Sequence, residues 1–156
     1  MPQHWHLCSH IHNAFKLRMA QVAVPETKQS LAIARILADE GFVAGVSKGD
    51  TLGPYHAGAA VPVTPDNISR RRIWLDLKYS AGEPVLRDLR AVSKPSRRVF
   101  ATASELKMIA AARRAGPLLK GQHVGQVTIL DTVYGIIELK DALKKNVGGE
   151  VLCIAK

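Results

Sequence analysis

The chain has 156 residues, 47% of them apolar and 5% aromatic, with 22 Lys and Arg against 13 Asp and Glu, a formal charge of +9. This excludes a disordered tail and allows one domain, or two small ones, around a core of Val, Ile, Leu and Ala. The positive balance favours an anionic partner, nucleic acid first and an anionic membrane surface second.

Taken in chain order, residues 7 to 20 set Leu7, Ile11, Ala14, Phe15 and Met19 on one apolar stripe and predict a helix. "QVAVP", 21 to 25, reads as a short strand stopped by Pro25. "ETKQSLAIARILADEGF" follows as a helix with Leu31, Ile33, Ala34, Ile36 and Leu37 on a wide apolar face, and Gly41 ends it. "FVAGVSKGD" reads as a strand running into a turn. Residues 49 to 69, rich in Pro and Gly without a period, read as a loop insertion.

"RRRIWLDLKYS", 70 to 80, alternates Ile73, Leu75, Leu77 and Tyr79 against Trp74, Asp76 and Lys78, the clearest period-two strand in the chain. "AGEP" is a turn, and "VLRDLRAVS" is read as a further strand. "SKPSRRVFA", 93 to 101, is a cation-dense turn leading into a short strand. Residues 104 to 116 predict a helix capped by Ser104, with Arg113 and Arg114 in its last turn and Gly116 as its stop. "HVGQVTILDT" is a strand. "YGIIELKDALKKN" starts as a strand or turn and finishes as a short helix at Asn146. "EVLCIA" closes the chain as a strand apolar on both faces, which needs pairing and cover. The order predicts an α+β fold of two small domains. Residues 1–80 form helix, strand, helix and strands, with the insertion at about 49–69; residues 81–156 form a helix plus antiparallel strands.

Cys8 and Cys153 stand at opposite ends and carry no disulfide framework or CxxC motif; Cys153 reads as a small buried hydrophobe. No run approaches the roughly 18 apolar residues of a membrane span. The first 25 residues hold no acid, one mark of a mitochondrial presequence. No Walker spacing, HExxH or nucleophile motif is present, so an enzyme is not expected, nor a small-molecule substrate or cofactor. "HWHLCSHIH" holds four His and a Cys, with His6 and His10 four apart and Cys8 and His12 likewise. A metal-binding protein is therefore the alternative reading. Three basic runs, Arg70–Arg72, Lys94 with Arg97 and Arg98, and Arg113–Arg114, are candidates for phosphate contact. Gly148 and Gly149 precede the last strand, where a bend or the close approach of another backbone, such as a sugar-phosphate backbone, suits a missing side chain.

Four ordered segments carry a resemblance. "VGGEVLCIA", "VAVPETKQSLAIARILADEGFV", "IWLDLKY" and "VSKPSRRVF" together resemble the universal small-subunit ribosomal protein eight family, from about Leu7 to Ala155 apart from residues 49 to 69. The resemblance implies two small α+β domains, no catalytic activity, and binding to the central domain of small-subunit rRNA beside neighbouring small-subunit ribosomal proteins. It marks as RNA-binding Lys28, the segment with Ser93, Lys94, Arg97 and Arg98, and Gly148, Gly149 and Glu150. The family's minor-groove loop corresponds to "DTVYG". Thr132 and Gly135 match, Asp131 and Val133 stand in place of serines, and Tyr134 stands in place of a Lys, where it can stack on a base. In "SHIHN", Ser9 and Asn13 fit the family's pattern while His10 and His12 replace arginines. These departures imply a divergent, mitochondrial member of fungal type, with a bacterial-type cytoplasmic ribosome as the alternative. Since 7 to 20 match the family's first helix, import without loss of that segment is expected.

Overall fold

The computed structural model describes residues 3–55 and 61–156. Part of the expected insertion, 56–60, lies outside the described residues.

Helix α1 spans His4–Lys16, starting earlier and ending sooner than the periodicity suggests. The Gln3 carbonyl accepts from His6 and Leu7 N–H, which sets the start. Arg18 turns left-handed at φ 54, so Met19 leaves the apolar stripe and is exposed. Strand β1 is Gln21–Pro25. Helix α2, Lys28–Asp39, is capped by the Thr27 hydroxyl, which accepts from Ser30 N–H at 3.0 Å. Gly41 at φ +79 stops it as expected, since that conformation strains a Cβ. Strands β2 (Val43–Gly49) and β3 (Arg72–Leu77) follow, and the sheet order is β1-β3-β2, antiparallel throughout. The alternation holds: Ile73, Leu75 and Leu77 are buried. On the other face, Trp74 Nε1 donates to the Asp50 carbonyl at 2.9 Å.

The "AG" turn joins two small strands, β4 (Tyr79–Ser80) and β5 (Glu83–Pro84), with Ala81 and Gly82 both at positive φ. Of the expected strand over 85 to 93, β6 itself is Leu89–Ala91, and Val92 and Ser93 N–H still donate to the Leu152 and Val151 carbonyls of the last strand. After β7 (Phe100–Ala101) comes α3, Ala103–Ala110, whose ends differ from expectation. Thr102, not Ser104, is the cap, because Thr102 and Glu105 form a reciprocal capping box. The helix ends before Ala112, which is left-handed at φ 58. Arg113 and Arg114 therefore lie in a loop, where the Arg114 guanidinium donates to the Gly116 and Pro117 carbonyls. Strands β8 (Val127–Thr132) and β9 (Gly135–Glu138) form a hairpin. Helix α4 (Leu139–Lys145) ends on left-handed Asn146, and β10 spans Gly149–Ala155.

The second sheet has the order β6-β10-β8-β9, with β7 also on β10. The final strand is thus central, and both of its faces are covered. Leu152, Cys153 and Ala155 join Ile129 in a large cluster with α1, α2 and the first sheet. Val151 and Leu130 face a second cluster with Leu106 and Ile109 of α3 and Leu139 and Ala142 of α4. Burial on two faces is why "EVLCIA" shows no alternation. Cys8 and Cys153, far apart in the chain, are both buried in the large cluster as free thiols.

Candidate nucleic-acid interface

The exposed ridge of α1 carries His6, Ser9, His10 and Asn13. Ser9 Oγ donates to the Trp5 carbonyl at 3.0 Å and stays exposed. A groove of about 460 Å³ runs from this ridge to Ala23–Pro25. A second, about 450 Å³, separates Trp5 and Ser9 from Arg90, Lys94 and Pro95. The ridge and the basic turn therefore face each other across one groove.

That turn is closed by two backbone bonds between Lys94 and Arg97, at 2.9 and 3.0 Å. Ser93 anchors it from below. Its hydroxyl accepts from Val99 N–H at 3.0 Å and donates to the Val99 carbonyl at 3.3 Å, and the residue is fully buried. The expectation that Ser93 faces RNA is corrected on this ground: it shapes the turn. Its carbonyl accepts from His4 Nε2 at 2.8 Å, which requires the Nε2–H tautomer. Burial pushes the His4 pKa down, against the Ser93 bond and the Glu150 charge, so the ring is neutral. Lys94 and Arg97 are exposed and form no ion pair among the described residues. Arg98, 45% exposed, donates to both Glu150 carboxylate oxygens at 2.9 and 3.2 Å. Glu150 thus positions a cation and cancels part of its charge.

At the glycine pair another backbone does come close, as expected, but it belongs to the protein. A Cβ on Gly149 would strike the Asp131 carbonyl oxygen and come within 2.9 Å of Thr132 Cγ2. On Gly148 it would sit 2.5 Å from the Ala101 carbonyl oxygen. The backbone that comes close is the protein's own: β8 on one side, the end of β7 on the other. Both glycines are nonetheless only partly buried, and the corner borders the surface.

The "DTVYG" segment is a two-residue hairpin turn between β8 and β9. Thr132 Oγ1 donates to the Gly135 carbonyl at 2.9 Å and accepts from Tyr134 N–H at 3.2 Å. Gly135 at φ 95 supplies the handedness. Val133 and Tyr134 project from the tip, 94% and 64% exposed. Lys145 Nζ lies 5.1 Å from the Tyr134 ring centroid.

The structure brings Ser9, Lys94, Arg97, Arg98, Glu150, Gly148, Gly149, Thr132, Tyr134 and Gly135 onto one connected margin of the fold, with Asn13 one turn beyond Ser9 on the neighbouring groove. Lys28 lies elsewhere, lining a groove with Val63 and Ile68. Two residues were missed. Phe100 is 67% exposed and pairs in register with Glu150, which also holds Arg98. Alternation in "RRVFA" puts Val99 and Phe100 on opposite faces, but only the fold decides that Val99 is the buried one. Lys145 is the second, placed by its approach to the Tyr134 ring.

The histidine cluster does not converge. His4 and Cys8 are buried, His6 and His10 are exposed, and His12 Nδ1 faces Asp88 at 3.8 Å. Among the described residues no group of three or more His, Cys, Asp or Glu side chains is arranged to hold a metal ion. Among the described residues no helix is long and apolar enough to cross a membrane.

Comparison with known proteins matches residues 6–155 to the family described as Ribosomal protein S8. The small ribosomal subunit protein uS8m of Schizosaccharomyces pombe is 40% identical over 150 residues, 95% of this chain and 95% of that protein. Its namesake in Neurospora crassa is 37% identical, covering 96% of this chain and 95% of its own. A bacterial relative, uS8 of a Caulobacter species, is 33% identical over 94% of this chain and 91% of its own. With the α+β fold already described, the match leaves one conclusion: the chain belongs to the ribosomal protein S8 family.

Proposed function

We propose that the protein is a structural constituent of the small subunit of the mitochondrial ribosome, where it binds rRNA of the central domain and supports subunit assembly and translation. The observation that carries this reading is the contiguity of an unpaired basic turn, Lys94 and Arg97, with the Arg98–Glu150 pair and the Tyr134 hairpin tip. Lys94 and Arg97 meet phosphates without first breaking an ion pair. Tyr134 and Phe100 offer flat faces to unstacked bases, and Ser9 and Asn13 offer small polar groups to 2′-hydroxyls. Gly148 and Gly149 let β7, β8 and β10 converge so that turn and hairpin share one margin. Thr132 and Gly135 set the hairpin's shape.

In this reading residues 81–156 hold most of the RNA and residues 1–80 brace them through α1, which adds Ser9 and Asn13, with neighbouring small-subunit proteins completing the contacts. The role is positional and not catalytic. The test is binding of the full chain to a transcribed central-domain rRNA fragment, together with co-sedimentation with small subunits from isolated mitochondria. Submicromolar, fragment-selective binding is expected. Equal affinity for an unrelated structured RNA of the same length, or absence from the subunit fraction, refutes it.

A further inference from the structure

Between α2 and residues 61–71 lies a groove of about 360 Å³ that the RNA margin does not use, lined by Glu26, Lys28, Leu31, Lys48, Val63 and Ile68. Val63 and Ile68 are each 63% exposed, and Leu31 packs on the core beneath. This segment is built. The Asn67 side chain accepts from Thr64 N–H at 3.0 Å and donates to the Pro62 carbonyl at 2.9 Å. Arg71, its side chain 6% exposed, donates to the Val61 carbonyl at 3.2 Å and to Glu26 at 2.6 Å. The aliphatic side chains are therefore held outward on a fixed scaffold, at a cost in exposed apolar area that a partner would remove.

The charge around the groove is positive. Glu26 supplies the one carboxylate among the named lining residues, and both Arg71 and Lys48 already hold it, Lys48 at 3.0 Å. Lys28 forms no ion pair among the described residues, and Arg70 and Arg72 follow along the chain. Cations alone would suit RNA. An aliphatic surface with no aromatic in it does not, since bases stack on flat rings. A carboxylate beside an apolar side chain satisfies both features at once.

We infer that this groove docks a segment of a neighbouring small-subunit protein in which an apolar side chain is flanked by Asp or Glu. The inference rests on the functional reading above and adds where that partner sits and what chemistry it presents.

The experiment introduces the photo-cross-linker p-benzoylphenylalanine in place of Val63 in the full chain, in cells. Small subunits are then isolated from mitochondria, irradiated, and the cross-linked species sequenced. A cross-link to a protein segment with acids around an apolar residue is expected. Adding Ile68→Asp should reduce it at least tenfold, while a thermal midpoint close to that of the parent shows the chain still folded. Cross-links to rRNA, to a second copy of this chain, or to nothing above background in subunits that contain the protein overturn the inference alone. So does a protein cross-link indifferent to Ile68→Asp. Absence of the protein from the subunit fraction overturns the functional reading and this inference with it.

Discussion

Gly149→Val tests whether the glycine corner serves the fold or the RNA. The added Cβ would strike the Asp131 carbonyl oxygen and approach Thr132 Cγ2 to 2.9 Å. Neither can yield freely, because Asp131 belongs to β8 and pairs with Glu150 on β10, the central strand. Overpacking of this kind costs about 1–3 kcal/mol, and loosening one β8–β10 hydrogen bond adds about 1 kcal/mol. A total near 3 kcal/mol lowers the midpoint of a chain this size by roughly 6–12 °C. Circular dichroism melts of the free protein measure it. Gly149→Ala should show most of the same loss, since it carries the same Cβ. RNA affinity, measured well below both midpoints, should fall less than stability does. A Gly149→Val midpoint within about 2 °C of the parent, combined with lost RNA binding, would refute the argument and restore the sugar-phosphate explanation for the second glycine.

Removing Lys94 or Arg97 by alanine substitution should reduce the salt slope of rRNA binding by about one each and leave the melt unchanged; an unaltered slope takes the turn out of the interface. Phe100→Ala should weaken rRNA binding by about 1–3 kcal/mol with stability within about 0.5 kcal/mol, and Phe100→Leu should rescue little if stacking is the contact. Burial lowers the His4 pKa despite its Ser93 bond, so the unfolded chain takes up a proton that the folded chain refuses. Its stabilising contribution is full above the ordinary histidine range and declines as pH falls through it. The melts of the parent and His4→Gln should therefore converge on acidification, and parallel pH profiles would contradict this. Thr102→Ala should cost about 1 kcal/mol by removing the capping box of α3, whereas Ser104→Ala should cost markedly less.

Residues with a local cause were legible in advance. Thr27 and Gly41 bracket α2, Ile73, Leu75 and Leu77 alternate in β3, and the terminal apolar run is the covered strand its composition demanded. Most of the candidate margin was readable too, because cations in a Pro-containing turn and a Gly-ended hairpin announce themselves by type. Phe100 was not, since its exposure depends on which side of a two-residue strand faces Val99's neighbours.

Sequence alone determined the element types, the excess positive charge and the family pattern, because each is written in spacing and composition within a few residues. Only the folded chain decided that Ser93 lies inside, bonded to His4 from 89 positions away. It also decided that Arg98 is paired with Glu150, and that both glycines lie against protein backbone. Those outcomes depend on which distant groups the sheet register and helix packing bring within bonding distance, and no local periodicity encodes that choice.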